Sequence, residues 1–106
     1  MEKYQRDGKV AVLISPGFGA GWSTWNYRYP EILFDPQVVD LVLHYKGSDL
    51  VPRIEMVCET KYPEGYFGGA EDLQVRWLDP GERFLINEYD GSESLTTEGD
   101  MKWNVA

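Results

Sequence analysis

The chain has 106 residues, of which 42% are hydrophobic and 14% aromatic, and its formal net charge is -8. This composition is too apolar for a disordered chain, and the length predicts one domain spanning residues 1–106. Ten acidic residues and two arginines lie between Glu64 and Asp100, so this segment carries the whole net charge. A surface of that sign repels phosphate backbones and anionic membranes, so we expect neither a direct nucleic-acid partner nor a membrane partner.

The sequence also predicts a cytoplasmic protein. It contains no apolar run long enough to cross a bilayer, and Met1 to Tyr4 lack a signal-peptide pattern. Its single cysteine, Cys58, rules out an internal disulfide and fits a reducing compartment. Within a helical pattern such a residue is most often a small buried hydrophobe, and we expect that role for Cys58.

The first half of the chain predicts one strand and two helices. Lys9 to Ser15 is an apolar, strand-length run that ends at Pro16-Gly17. Asp35 is a helix N-cap residue followed by proline, which predicts a first helix over 36–46 with Gly47 as its stop. A second helix is predicted to begin at Ser48 or Asp49 and to end before Pro63.

The second half predicts strands. Apolar and polar residues alternate over 73–77, a turn follows at 79–81, and an apolar run resumes at 84–86, which predicts an antiparallel hairpin. Further strands are predicted at 94–97 and 102–105. The order β-α-α-β-β-β-β indicates an α+β fold, with an antiparallel or mixed sheet of four to five strands and two helices on one face.

The residues that carry most enzyme chemistry are scarce. The only histidine, His44, lies in a helical pattern, and Ser23 lacks the second glycine of a nucleophile elbow. No set of zinc or calcium ligands is present, so we expect no metal and no cofactor. A carboxylate-dependent enzyme stays open because acids are abundant, but the sequence favours a non-catalytic protein.

The loop over 16–26 is the best candidate for binding. Its glycines follow a strand, where backbone N–H groups approach an anion closely, and its aromatic and polar side chains suit a flat polar ring. The alternative is that its tryptophans are core residues and its glycines only permit the turn. The candidate ligand-binding residues are Gly17, Phe18, Gly19, Gly21, Trp22, Ser23, Thr24, Trp25, Asn26, Arg28 and Tyr89.

Two further loops, over 66–72 and 87–93, also place aromatic residues beside acids and glycine. Turn chemistry explains the glycines, but three loops of this composition suggest one shared pocket or interface. An interface would use the acidic residues Glu88, Asp90 and Glu93 to meet a protein partner.

Three stretches carry a resemblance to known sequences: 17–26 (GFGAGWSTWN), 68–73 (GGAEDL) and 88–94 (EYDGSES). They resemble a family of small uncharacterised proteins of bacteriophages and prophages. The resemblance implies the cytoplasm of an infected bacterium and a counter-defence role. One form of that role is a sponge that sequesters a small nucleotide-like immune signal; the alternative is an acidic inhibitor of a host defence complex, similar to an anti-CRISPR protein or a polyanion mimic. Association between copies stays open, because a pocket shared across an interface encloses more ligand.

Overall fold

A computed structural model describes residues 2–106, and it has an α+β fold with two helices and two small antiparallel sheets. The helices are α1 (Pro36–His44) and α2 (Val51–Lys61). The strands are β1 (Gln5–Arg6), β2 (Lys9–Ile14), β3 (Gln74–Leu78), β4 (Phe84–Tyr89) and β5 (Ser92–Thr97). One sheet has the order β1-β2-β3 and the other pairs β4 with β5.

The central strand β2 is apolar and buried on both faces. Ala11 and Leu13 belong to the main core, in which they pack with residues of both helices. Val10 and Val12 lie on the opposite face, beside Phe34 and Phe84. A continuous apolar run is typical of a strand that is buried on both faces, and this pattern is why the sequence predicts β2.

Helix α1 begins as the sequence predicts. The buried Asp35 accepts hydrogen bonds from the backbone N–H groups of Gln37 (2.9 Å) and Val38 (3.1 Å) and so caps the first turn. The α-helix ends at His44, two residues earlier than predicted, because Tyr45 adopts an extended conformation with φ -130° and ψ 157°.

Asp35 also joins the two helices. Its second carboxylate oxygen accepts hydrogen bonds from the Tyr62 hydroxyl and from Lys61 Nζ at 3.0 Å, at the C-terminal end of α2. Burial favours a raised pKa for this carboxyl group, but the hydrogen bonds from Tyr62, Lys61 and the Val38 N–H outweigh it and lower the pKa below its ordinary value. Cys58 is buried in the same core, as expected.

Two strand predictions are wrong. The 73–77 and 84–86 segments do not form a hairpin with each other: β3 pairs with β2, in the register Val12 to Arg76, and β4 pairs with β5. The 102–105 segment is not a strand. The turn residues at 79–81 redirect the chain into a second sheet because β2 provides β3 with a more apolar neighbour than β4 does. No helix in residues 2–106 is long and apolar enough to cross a membrane.

Candidate binding site

Glu93 organises the loop over 16–26. Its side chain is almost completely enclosed, with 2% of the residue exposed. One carboxylate oxygen accepts the N–H of Ser15 at 2.9 Å; the other accepts the N–H groups of Trp22 (2.9 Å) and Thr24 (3.1 Å) and the Thr24 hydroxyl. A buried charge is stable only when it is fully hydrogen-bonded, and these four bonds meet that condition.

The tip of the β4–β5 hairpin also forms hydrogen bonds with the loop over 16–26. The Gly19 N–H donates to the Asp90 carbonyl at 2.7 Å, and the Ser92 hydroxyl donates to the Pro16 carbonyl at 2.7 Å. Gly91 has φ +83°, and a Cβ atom there would collide with the backbone of Ala20. Glycine at 91 therefore permits both the hairpin turn and the close approach of the two loops.

The structure places Trp22 in the core rather than in a pocket. Its ring is fully buried against Phe67, and its Nε1–H donates to the Ile32 carbonyl at 3.2 Å. Asn26 is also buried: its amide bonds the Trp22 carbonyl and both the N–H and the carbonyl of Tyr66, each at 2.8 Å. The Trp22 ring is therefore not free to contact a ligand, which corrects its assignment as a ligand-binding residue, and the Asn26 amide is already hydrogen-bonded within the chain.

Trp25 is the point at which the three loops meet. Its Nε1–H donates to Glu88 Oε2 at 2.9 Å, and its ring lies 5.4 Å from the ring of Tyr66. Part of the Trp25 ring remains exposed. The sequence therefore identified three loops that do converge, although Tyr66 itself was not among the candidate residues.

Two further aromatic residues precede Gly19 and Asp90 in the sequence, namely Phe18 and Tyr89. Phe18 is 74% exposed and Tyr89 is 78% exposed. We call the resulting region the aromatic loop surface. It consists of Phe18, Trp25, Tyr66 and Tyr89, together with the exposed acids Glu88 and Asp90. Glu93 is not part of it, because its carboxylate is turned inward; this corrects its assignment as a partner-binding residue.

A pocket of about 320 Å³ lies beside Trp25. Three of the predicted ligand-binding residues line it, namely Trp25, Asn26 and Arg28. The Arg28 guanidinium is paired with Glu64 at 3.1 Å, and both side chains are exposed. A ligand phosphate would therefore have to compete with Glu64 for the one cationic side chain of this pocket.

Several backbone amides of the glycine loop are already hydrogen-bonded within the chain. The N–H of Gly19 is bonded to Asp90, and the N–H groups of Trp22 and Thr24 are bonded to the Glu93 carboxylate. Gly21 is buried beside Thr24 and Glu93, and Gly17 lies against Asp72. Ser23 begins a short 3-10 turn that ends at Trp25. Two backbone amides of this loop, those of Trp22 and Thr24, thus bind a carboxylate of the chain itself.

Among the described residues, 2–106, no group of three or more His, Cys, Asp or Glu side chains is arranged to hold a metal ion. Cys58 is buried, and burial is the largest of the effects that raise the pKa of its thiol to about 12, so it is a poor nucleophile. Comparisons with protein-family models, with curated proteins and with solved structures gave no match to the chain.

Proposed function

We propose that the protein is a non-catalytic binding protein that uses the aromatic loop surface to bind a basic patch on another protein. The supporting observation is that three loops, joined through Glu93 and Asn26, carry four exposed aromatic residues and two exposed acids, with Trp25 in contact with Glu88 and Tyr66. Clusters of exposed aromatic residues on a soluble protein are typical of interaction sites.

The chemistry of this surface favours arginine and lysine side chains as ligands. Tryptophan and tyrosine faces attract cations, and a neighbouring carboxylate adds a charge-assisted hydrogen bond. Glu88 already accepts a hydrogen bond from the Trp25 Nε1–H, so the ring and the carboxylate form one preorganised binding unit. Preorganisation lowers the entropy that is lost on binding, and aromatic anchors contribute most of the energy of such interfaces.

The resemblance to phage and prophage proteins suggests which partners to test first. A protein that handles nucleic acid has a basic surface, and an acidic protein occludes it by charge complementarity. We therefore propose that the partner is a nucleic-acid-handling defence protein in the bacterial cytoplasm, and that binding inhibits it.

The test is affinity capture from lysate of phage-infected bacteria, followed by titration calorimetry with the purified partner. Trp25→Ala and Glu88→Lys each remove one half of the binding unit. Met56→Ala and Glu59→Lys are matched controls, because both positions are exposed on α2. We expect wild type and the two controls to capture the same partner. Both surface variants should lose it, with an affinity that is about 10-fold lower or worse. Equal binding by all four variants would disprove it.

The pocket beside Trp25 supports a second candidate function, sequestration of a small nucleotide-like ligand. Its volume, about 320 Å³, lies at the lower end of the range for small-molecule sites, and it combines exposed aromatic faces with Arg28. Native mass spectrometry of the protein after exposure to the same lysate tests this candidate. An unmodified nucleotide that is bound by wild type and lost in Arg28→Ala would favour sequestration over protein binding.

A further inference from the structure

Strand β3 has one edge that is unpaired within the described part of the chain. Its ladder bonds all go to β2, and no other backbone hydrogen bond to Gln74–Leu78 is present among residues 2–106. In an antiparallel strand, every second residue directs both its N–H and its C=O away from the partner strand. The free edge of β3 therefore offers alternating donors and acceptors, which are a template for a further strand.

A cleft of about 610 Å³ borders this edge, and Gln74, Val75 and Trp77 line it. Consecutive side chains of a strand point to opposite faces, so a cleft that touches both Gln74 and Val75 lies along the edge of the strand rather than on one face. A strand added to β3 would also contact the ends of the two helices. The other apolar residues that line the cleft lie there, namely Val42, Leu43, Tyr45 and Leu50.

Val75 and Trp77 form the apolar floor of the cleft. Both are half-buried, and both lie opposite core residues of β2, so they share the face that packs against the helices. The Trp77 ring is held in place by the Tyr4 ring, at 6.1 Å, and by the Arg6 guanidinium, at 5.3 Å. The cleft therefore presents a preorganised apolar surface with a positive charge near its Trp77 end.

The other end of the cleft, where β3 begins, is acidic. Glu71 and Asp72 are exposed and line it, and Asp49 lies on a 3-10 turn that contacts theirs. Lys46 is the one cation among the lining residues, and none of these four side chains forms an ion pair within residues 2–106. Because the acids outnumber the lysine, this end of the cleft attracts a cation.

We infer that the cleft binds an extended segment of a partner protein, which adds as a strand antiparallel to β3. Two apolar residues of the segment, at positions i and i+2, pack beside Trp77 and Val75. A lysine or arginine at i+4 shares their face, since side chains two positions apart lie on the same side of a strand, and it reaches Glu71 and Asp72. No residue of the aromatic loop surface lines this cleft, so the inference is independent of the proposed function.

The chain itself does not supply such a segment. None of its ten lysines and arginines follows two apolar residues at positions i-2 and i-4. Two copies also repel each other, because each carries a net charge of -8, whereas a segment with a cation is attracted. The spacing and the charge therefore both favour a different protein over a second copy as the occupant.

The first experiment is selection from a library of random seven-residue peptides with the full chain as bait. We expect wild type to enrich peptides with apolar residues at i and i+2 and a lysine or arginine at i+4. Glu71→Lys combined with Asp72→Lys should bind these peptides about 10-fold or more weakly and should select an acid at i+4. Glu55→Lys combined with Glu59→Lys is the matched control, because both acids are exposed on α2. No enrichment of this pattern, or the same pattern for all three proteins, overturns the inference.

A second experiment tests whether the selected peptide forms a strand at β3. Two derivatives carry N-methyl groups on alternate residues, so that one lacks the N–H groups that face β3 and the other lacks those that face away. We expect one derivative to bind about 10-fold or more weakly and the other to bind as the parent peptide does. Equal effects of the two derivatives would overturn strand addition.

The same peptide also separates this site from the aromatic loop surface. Backbone amide shifts of the isotope-labelled protein should change at residues 74–78 and around the cleft. Trp25→Ala should bind the peptide as wild type does, because Trp25 does not line the cleft. Shifts confined to the loops over 16–26 and 87–93, or loss of binding in Trp25→Ala, would overturn the assignment of the peptide to β3.

Discussion

The Glu93 carboxylate accepts the backbone N–H of Trp22 at 2.9 Å, although 71 positions separate the two residues. This bond links the start of β5 to the loop that follows β2, and it lies in the interior, where water does not compete with it. Two of the three loops that carry exposed aromatic residues, 16–26 and 87–93, are therefore joined by a single buried charged group.

Replacing Glu93 should therefore destabilise the protein more than replacing any exposed acid. Glu93→Ala leaves the buried N–H groups of Ser15, Trp22 and Thr24 without an acceptor, and we expect the free energy of unfolding to fall by about 3 kcal/mol or more. Glu93→Gln should also destabilise, since its amide N–H₂ would face one of these donors. Urea denaturation measures both values, and Glu59→Ala on α2 is the control. A loss no larger than that of the control would contradict this account of Glu93.

Trp22 and Trp103 should differ sharply in their contribution to stability. Trp22→Ala creates a large cavity in the core and leaves the Ile32 carbonyl without its donor, so we expect a loss of about 3 to 5 kcal/mol. Trp103→Ala removes an exposed ring, and we expect a change within about 0.5 kcal/mol for the monomer. Thermal or urea unfolding at low protein concentration measures both. Similar losses in the two variants would show that Trp22 is not the core residue described above.

The local elements were predictable because their signals lie next to them in the sequence. Asp35 followed by Pro36 marks the start of α1, and the apolar run after Lys9 marks β2. Strand pairing was not predictable in the same way. The turn at 79–81 fits a hairpin between β3 and β4 as well as the observed crossing to a second sheet, and the choice depends on contacts with β2 that are distant in sequence.

In the candidate site, too, some residues were predictable from the sequence and others were not. Trp25, Arg28 and Tyr89 were identified from composition, and the structure leaves each of them exposed. Glu93 was assigned to the surface because nothing in the sequence distinguishes it from the nine other acids between Glu64 and Asp100. Only the folded backbone shows that several N–H groups converge on it, so a buried acid in an acidic segment has no sequence signal.

The acid sensitivity of the protein should depend on Asp35. Hydrogen bonds in the folded state lower its pKa below the ordinary value of 3.8, so its contribution to stability is present above that pH. The contribution is lost as the pH falls through the folded-state pKa, because the protonated group no longer pairs with Lys61. Asp35→Asn should unfold more easily at pH 7 but lose less stability between pH 5 and pH 2 than wild type, as measured by urea denaturation. Parallel pH profiles for the two proteins would contradict this role.

Alkaline conditions should destabilise the protein through Cys58 and Tyr62. Burial is the largest cause of the raised pKa of each group, from 9.0 to about 12 for the thiol and in the same direction for the phenol. The unfolded chain therefore releases these protons at a lower pH than the folded chain. The contribution of these groups to stability is complete below about pH 9; it falls as the pH rises further, first through Cys58 and above about pH 10 through Tyr62 as well. Cys58→Ala should reduce this slope while Tyr62 keeps the remainder, and the native thiol should react with a disulfide reagent only after unfolding. Rapid reaction of the folded protein at pH 8, or an unchanged slope in the alanine variant, would show that the thiol is accessible rather than enclosed in the core.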